Sequence, residues 1–143
     1  MADDDQDDTD LFEEALRNID RQIEFYNATN GKELLEQLSM AGIDPEIIFL
    51  DINMPELDGW ESLRSIKQDD RLKAIPVIMY STSAAKIDGS KAIKAGALCY
   101  LEKPHSFNKL QDFLQKISVS PKDKLVDTLK VIEAARSHNI VVA

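Results

Sequence analysis

Three short apolar runs set the limits on this fold: IIFLD (Ile47 to Asp51), PVIMYS (Pro76 to Ser81) and ALCYL (Ala97 to Leu101). Each has the length of a strand and stays apolar almost to its end, the pattern of strands buried on both faces of a parallel sheet. The stretches between them have helical spacing. Trp60, Leu63 and Ile66 follow the first run; Ala84 to Ala95, with Gly89 inside it and Gly96 ending it, follows the second; Leu110, Phe113, Leu114 and Ile117 follow the third. Ahead of all three come an amphipathic helix (Leu11, Phe12, Ala15, Leu16, Ile19), a β-leaning run (Ile23 to Ala28), the turn Asn30-Gly31 and a helix, ELLEQLSM, stopped by Gly42. Strands alternating with helices over 143 residues predict one α/β domain, doubly wound about a parallel sheet.

In such sheets chemistry gathers at the carboxyl ends of the strands. Here those ends carry Asp51, Ser81 and, just past the third run, Lys103. Singly, these are a helix cap, a loop hydroxyl and a surface lysine before a proline. Together they deliver an acid, a hydroxyl and an amine to one rim. The loop between Asp51 and the next helix, NMPELDG, ends in a capping acid, Asp58.

Charge and composition remove other classes. The formal net charge of −9 repels phosphate backbones, so no nucleic-acid partner is expected. No apolar run is long enough to span a membrane and no charged-then-apolar leader opens the chain, so no membrane partner is expected either. Cys99 is the lone cysteine, which excludes an internal disulfide and suits a reducing, cytoplasmic compartment. The acids are concentrated at the start: Asp3, Asp4, Asp5, Asp7, Asp8, Asp10, Glu13 and Glu14 account for nearly all the excess. A like-charge block is ordinarily a solvated tail. This one runs directly into an amphipathic helix, so its acids are held at a helix N-terminus.

The segments FLDINMPELDGW, IPVIMYSTSA and CYLEKP resemble the three signature segments of response-regulator receiver domains from two-component signalling, in register from about Asp3 to Ile117. The resemblance implies a five-stranded, flavodoxin-like sheet of order 2-1-3-4-5. It makes Asp51 the phosphoacceptor, Ser81 the switch hydroxyl, Lys103 the active-site cation and Tyr100 the rotating aromatic switch, with a cis Lys103-Pro104 bond. It also implies Mg²⁺ bound by Asp3, Asp4, Asp51 and the Asn53 backbone carbonyl, with Asp4 favoured as the direct ligand of the first pair. The implied partners are a histidine kinase or histidine phosphotransfer protein as donor and a downstream protein as receiver of the signal, docking on the Ala84–Ala95 helix and the strand with Tyr100. Physical chemistry agrees: moving a phosphoryl group onto a carboxylate needs cations to offset the repulsion, and Mg²⁺ favours oxygen ligands.

One element of that pattern is displaced. A receiver begins with an apolar strand ending in its acid pair, whereas only Met1 and Ala2 precede the acids here. The chain closes on HNIVVA, a β-branched run of strand length. Joining end to beginning restores an ordinary receiver start, so the sequence predicts a circular permutation. Residues 1–117 would form the receiver core without its first strand, residues 118–138 a connector with an extra helix at about 121–136 started by Ser120-Pro121, and residues 139–143 the central strand, closing in the same chain as a monomer or in a strand-swapped dimer. The competing readings are a sixth edge strand or a frayed tail.

Two other functions compete. A haloacid-dehalogenase-type phosphohydrolase also uses a strand-end Asp, but needs a second Asp two positions later. That position is Asn53, whose carboxamide cannot transfer a proton, so no enzyme activity beyond self-phosphorylation and autodephosphorylation is expected. The other is a scaffold or interaction module that keeps the fold without the chemistry.

Overall fold

In the computed structural model, residues 1–19, 21–82 and 88–143 are described. Among the described residues six α-helices and four strands succeed one another: α1 (Gln6–Arg17), α2 (Gly31–Ser39), β1 (Ile48–Leu50), α3 (Gly59–Gln68), β2 (Val77–Ser81), α4 (Gly89–Lys94), β3 (Cys99–Glu102), α5 (Phe107–Ser118), α6 (Leu125–Ala134) and β4 (Ile140–Val142). A 3₁₀ turn, Lys122–Lys124, leads into α6. The strands form one sheet in the order β1-β2-β3-β4, with the first three parallel and β4 antiparallel to β3.

Alternation along the strands explains the two-sided core. Ile48, Leu50, Val77, Met79, Tyr100 and Val141 face one layer with Leu34, Leu38, Leu63, Ile66 and Ala92 of α2, α3 and α4. Phe49, Ile78, Tyr80, Cys99, Leu101 and Ile140 face the other, with Phe12, Leu110, Phe113, Leu114, Leu129 and Ile132 of α1, α5 and α6. Phe12 and Phe49 meet edge to face at 4.8 Å between ring centres, a geometry that adds about 1 kcal/mol to simple burial. The sheet is doubly wound, as its apolar runs require.

The helix ends follow their side chains. Asn30, read as part of a turn, caps α2 by accepting from the Glu33 amide. Asp58 caps α3, and Glu61 returns the bond to the Asp58 amide, a reciprocal pair that fixes where the helix starts. Asp5 caps α1 through the amides of Asp7 and Asp8, which draws the opening acids onto the positive end of that helix.

The permutation is overturned. The place beside β1 is filled by the first three residues. The Ala2 amide donates to Phe49 O (2.9 Å) and the Asp51 amide to Ala2 O (2.9 Å) on one side; on the other, the Ala28 amide donates to Met1 O (2.9 Å) and the Asp3 amide to Ala28 O (3.0 Å). Both bridges made by Ala2, to Ala28 and to Leu50, are parallel. The C-terminal run instead adds to the far edge, with Tyr100 opposite Val141. Chain direction gives the reason. Helix α5 ends at the amino-terminal level of the parallel strands, and α6 carries the chain back to the carboxyl rim. There the Glu102 amide meets Asn139 O at 2.9 Å. A strand starting at that rim can only run downwards, antiparallel, so neither the central strand of a permuted fold nor a swapped one is formed by residues 139–143.

Other expectations are corrected in detail. The five parallel strands reduce to three, with Ala2 and Ala28 supplying single bridges; Ile23–Asn27 form no strand, and Phe25 stacks on Phe12 at 5.9 Å. The extra helix is present, but Ser120 does not cap it: its hydroxyl pairs with Thr128 Oγ1 at 2.8 Å. The Lys103-Pro104 bond is not cis, since no cis peptide occurs among the described residues. For the helix expected over Ala84–Ala95, residues 84–87 lie outside the described residues, and α4 begins at Gly89 itself, after the cap Asp88. Gly89 is therefore a first-turn residue and not an interior break.

Candidate functional site

The first residues and the ends of β1, β2 and β3 converge on one rim. Asp3 follows the Ala2 rung directly, Asp51 follows β1, Ser81 closes β2 and Lys103 follows β3. Asp51 is held in place from both sides of its backbone. Its amide bonds Ala2 O, and the chain turns back so that the Gly59 amide donates to Ile52 O at 2.9 Å. The Asp51 carbonyl then lies so close to Gly59 that a Cβ there would stand 2.2 Å from it. The D-G pair of the loop is thus a cap followed by a residue that must lack a side chain.

One carboxylate oxygen each from Asp3, Asp4 and Asp51 lie within 4.8 Å of one another, with Asp3 and Asp51 buried and Asp4 exposed. Oxygen donors at that separation, one face open to solvent, fit a hard divalent cation with part of its water shell retained. Lys103 closes the opposite side. Its Nζ donates to Asp3 Oδ2 at 2.6 Å and to Asp8 Oδ2 at 2.7 Å, stands 3.6 Å from Asp51 Oδ1, and lies 5.4 Å from the centre of the Tyr80 ring. Ser81 Oγ is buried and has no hydrogen-bond partner among the described residues. An orphaned buried hydroxyl costs on the order of 1–3 kcal/mol, which an incoming acceptor oxygen would recover.

Burial dominates the electrostatics. It pushes Asp51 up to about 6, against the pull of the Lys103 charge and with help from the Asp3 charge. It also raises Asp3, although the hydrogen bond from Lys103 opposes it. For Lys103, burial works to lower the pKa, but hydrogen bonds to Asp3 and Asp8 and the charges of Asp3 and Asp51 outweigh it, and the net shift is upward. The lysine therefore stays cationic.

The raised Asp51 has a stability consequence. A carboxyl whose folded pKa lies above its ordinary value stabilises the fold fully only below about 3.8, and that contribution is lost as pH rises through about 6. Asp51→Asn removes the titration. In chelator, urea unfolding should show the variant gaining on the wild type by roughly 2 kcal/mol between pH 4.5 and 7.5. A stability difference that stays flat with pH would mean that Asp51 is not desolvated.

The structure therefore brings together Asp3, Asp4, Asp51, Ser81 and Lys103. Asn53 is exposed in the loop beyond Asp51, and Tyr100 is buried one residue into β3 against the α4 side of the sheet. Two residues at the site were not legible beforehand. Asp8 is one of a run of acids with nothing in its spacing to distinguish it, and Tyr80 reads as an ordinary strand residue until its ring is seen beneath the lysine.

An acid cluster and a cation at the carboxyl rim of a doubly wound sheet define a protein built for phosphate or divalent-cation chemistry. Residues 1–115 match the family model of the response regulator receiver domain, and the chain belongs to that family. It is 34% identical over 90 residues to chemotaxis protein CheY1 of Helicobacter pylori, covering 63% of this chain and 72% of that one. It is 32% identical over 84 residues to sensor histidine kinase CheAY of the same organism, covering 59% of this chain and 10% of the kinase. The Mn²⁺-bound response regulator Rcp1 superposes with a TM-score of 0.71 at 30% identity, over 82% of this chain and 88% of that one. The phosphorylated cyanobacterial phytochrome response regulator RcpA superposes with a TM-score of 0.74 at 31% identity, over 82% and 87%. Receiver domains are phosphoacceptor regulators of two-component signalling and not enzymes in the ordinary sense. No helix among the described residues is long and apolar enough to cross a membrane.

Proposed function

We propose that Asp51 is the phosphoacceptor of a two-component receiver, with a phosphohistidine of a kinase or phosphotransfer protein as donor. The observation that carries this is the buried Asp51 flanked by Lys103 at 3.6 Å and clustered with Asp3 and Asp4. An Asp51 oxygen attacks phosphorus, the P–N bond to the donor imidazole breaks, and the imidazole leaves with the electron pair. Asp3, Asp4, Asp51 and the Asn53 carbonyl are the residues suited to hold Mg²⁺, which supplies charge compensation for the phosphoryl oxygens. Lys103 offers a charge-assisted hydrogen bond to one phosphoryl oxygen, and the unpartnered Ser81 hydroxyl donates to another.

Drawing Ser81 toward the phosphoryl group gives Tyr100 its role as the switch. The surface it alters is the face of α4 and β3, where a downstream protein would dock. The relatives bear chemotaxis and phytochrome names, so signalling through protein contact in a cytoplasmic relay is the reading they favour.

The test weighs intact protein after incubation with Mg²⁺ and acetyl phosphate. Wild type is expected to gain one phosphoryl group, and Asp51→Asn none. An unmodified wild type, with the variant equally silent, would favour a scaffold that keeps the fold without the chemistry.

A further inference from the structure

Asp8 is a third acid on Lys103, and it lies outside the cation cluster. The three carboxylates close enough to share a cation are Asp3, Asp4 and Asp51. Asp8 is not among them, yet its Oδ2 accepts from Lys103 Nζ at 2.7 Å, almost as close as the 2.6 Å contact to Asp3. The lysine is nearly buried, with 10% of its side chain exposed, while Asp8 retains 31%. An ammonium has three N–H donors. Two are taken, by Asp3 and Asp8, and the third is left for the space between Tyr80 and Asp51, whose Oδ1 is at 3.6 Å.

The two partners differ in what else they can do. Asp3 belongs to the cluster that a cation would use. Asp8 has no second cationic partner among the described residues, and it sits on the first turn of α1, whose start is pinned by the Asp5 cap. We infer that Asp8 is a positioning residue. It tethers Lys103 to α1 so that the free N–H keeps facing Asp51 when the oxygens of Asp3 are engaged elsewhere. Resting on the proposed role of Lys103, this adds a member to the site that touches neither the cation cluster nor the phosphoacceptor.

The alternative is a decoy, in which Asp8 holds the lysine back from the phosphoryl group and its removal speeds transfer. The two roles have opposite signs. Asp8→Ala and Asp8→Asn are compared with wild type in Mg²⁺ and varied acetyl phosphate, following phosphoryl incorporation by intact mass. A tether requires the saturating rate of Asp8→Ala to fall about tenfold, one lost charge-assisted hydrogen bond in rate terms, with half-saturation little changed. Asp8→Asn, which keeps an acceptor oxygen, should lie between. Rates within twofold of wild type, or faster than wild type, overturn the tether.

A second arm needs no phosphoryl donor. In chelator, the melting temperatures of wild type, Asp8→Asn, Lys103→Met and the double variant form a cycle, which subtracts the general effect of an acid at a helix start. Asp8→Asn should lower melting by about 3 °C where Lys103 is present, and leave it unchanged or raise it where Lys103 is Met, because carboxylate repulsion is then relieved. Equal shifts in both backgrounds overturn the tether as well. A wild type that takes no phosphoryl group sinks the phosphoacceptor reading, while this cycle still decides whether Asp8 holds the lysine.

Discussion

Lys103→Met should cost the cation-free protein about 3–5 kcal/mol at pH 7.5, the penalty for removing one partner of a buried ion pair. The lysine is the only cationic side chain that the described residues bring to Asp3, Asp8 and Asp51. Without it, Asp3, whose side chain has no exposed surface, must keep a charge among other carboxylates or take up a proton. In chelator, melting should therefore fall by about 10 °C for a chain of this length. The deficit should narrow on lowering the pH to 5, where Asp51 and Asp3, both raised by burial, can be neutralised at less cost. Millimolar Mg²⁺ should also recover part of it at pH 7.5 by binding the folded state alone. A variant that melts within 2 °C of wild type in chelator would show that solvent already compensates these acids.

Gly59→Ala is the second large effect, and it acts through the backbone. The added carbon would stand 2.2 Å from Asp51 O and 2.7 Å from Ile52 Cα, and neither atom belongs to a flexible side chain that could swing aside. Relief requires α3 to withdraw from the loop after β1, breaking the 2.9 Å bond from the Gly59 amide to Ile52 O and loosening the cap at Asp58. Overpacking ordinarily costs 1–3 kcal/mol; with both obstacles in the main chain, about 3 kcal/mol or more is expected. Because Asp51 moves with that loop, phosphoryl uptake should suffer even at temperatures where the variant remains folded. Full uptake by a folded Gly59→Ala protein would place the strain elsewhere.

Much of the fold was legible because burial on two faces leaves a distinctive text. IIFLD, PVIMYS and ALCYL admit little besides interior parallel strands, and the polar residues at or just past their ends mark the rim. The rim positions of Asp51, Ser81 and Lys103 followed from the same runs, since a strand of fixed direction delivers its last side chain to one end of the sheet. Misreadings arose where local pattern carries less information than position. Two residues, Met1 and Ala2, looked too short to be a strand, yet four backbone hydrogen bonds suffice to occupy the place between Ala28 and Phe49–Asp51. The run Ile140–Val142 has the β-branched look of any strand, and only the path of α6 decides whether it arrives parallel in the middle or antiparallel at the edge. Asp8 was hidden for a related reason: a carboxylate in a block of carboxylates gains meaning only from the cation that reaches it.

The added edge strand also ties two parts of the molecule together. A side chain at position 89 would run into Val141, 2.6 Å from its Cγ2, and into the Tyr100 ring, 3.2 Å from Cδ1. Glu133 meanwhile anchors the strand by accepting from the Val142 amide at 3.1 Å. The Tyr100 ring thus shares its cage with a methyl group from the far end of the chain. Any reorientation of that aromatic would be felt at the methyl and would be readable as a shift of one valine resonance.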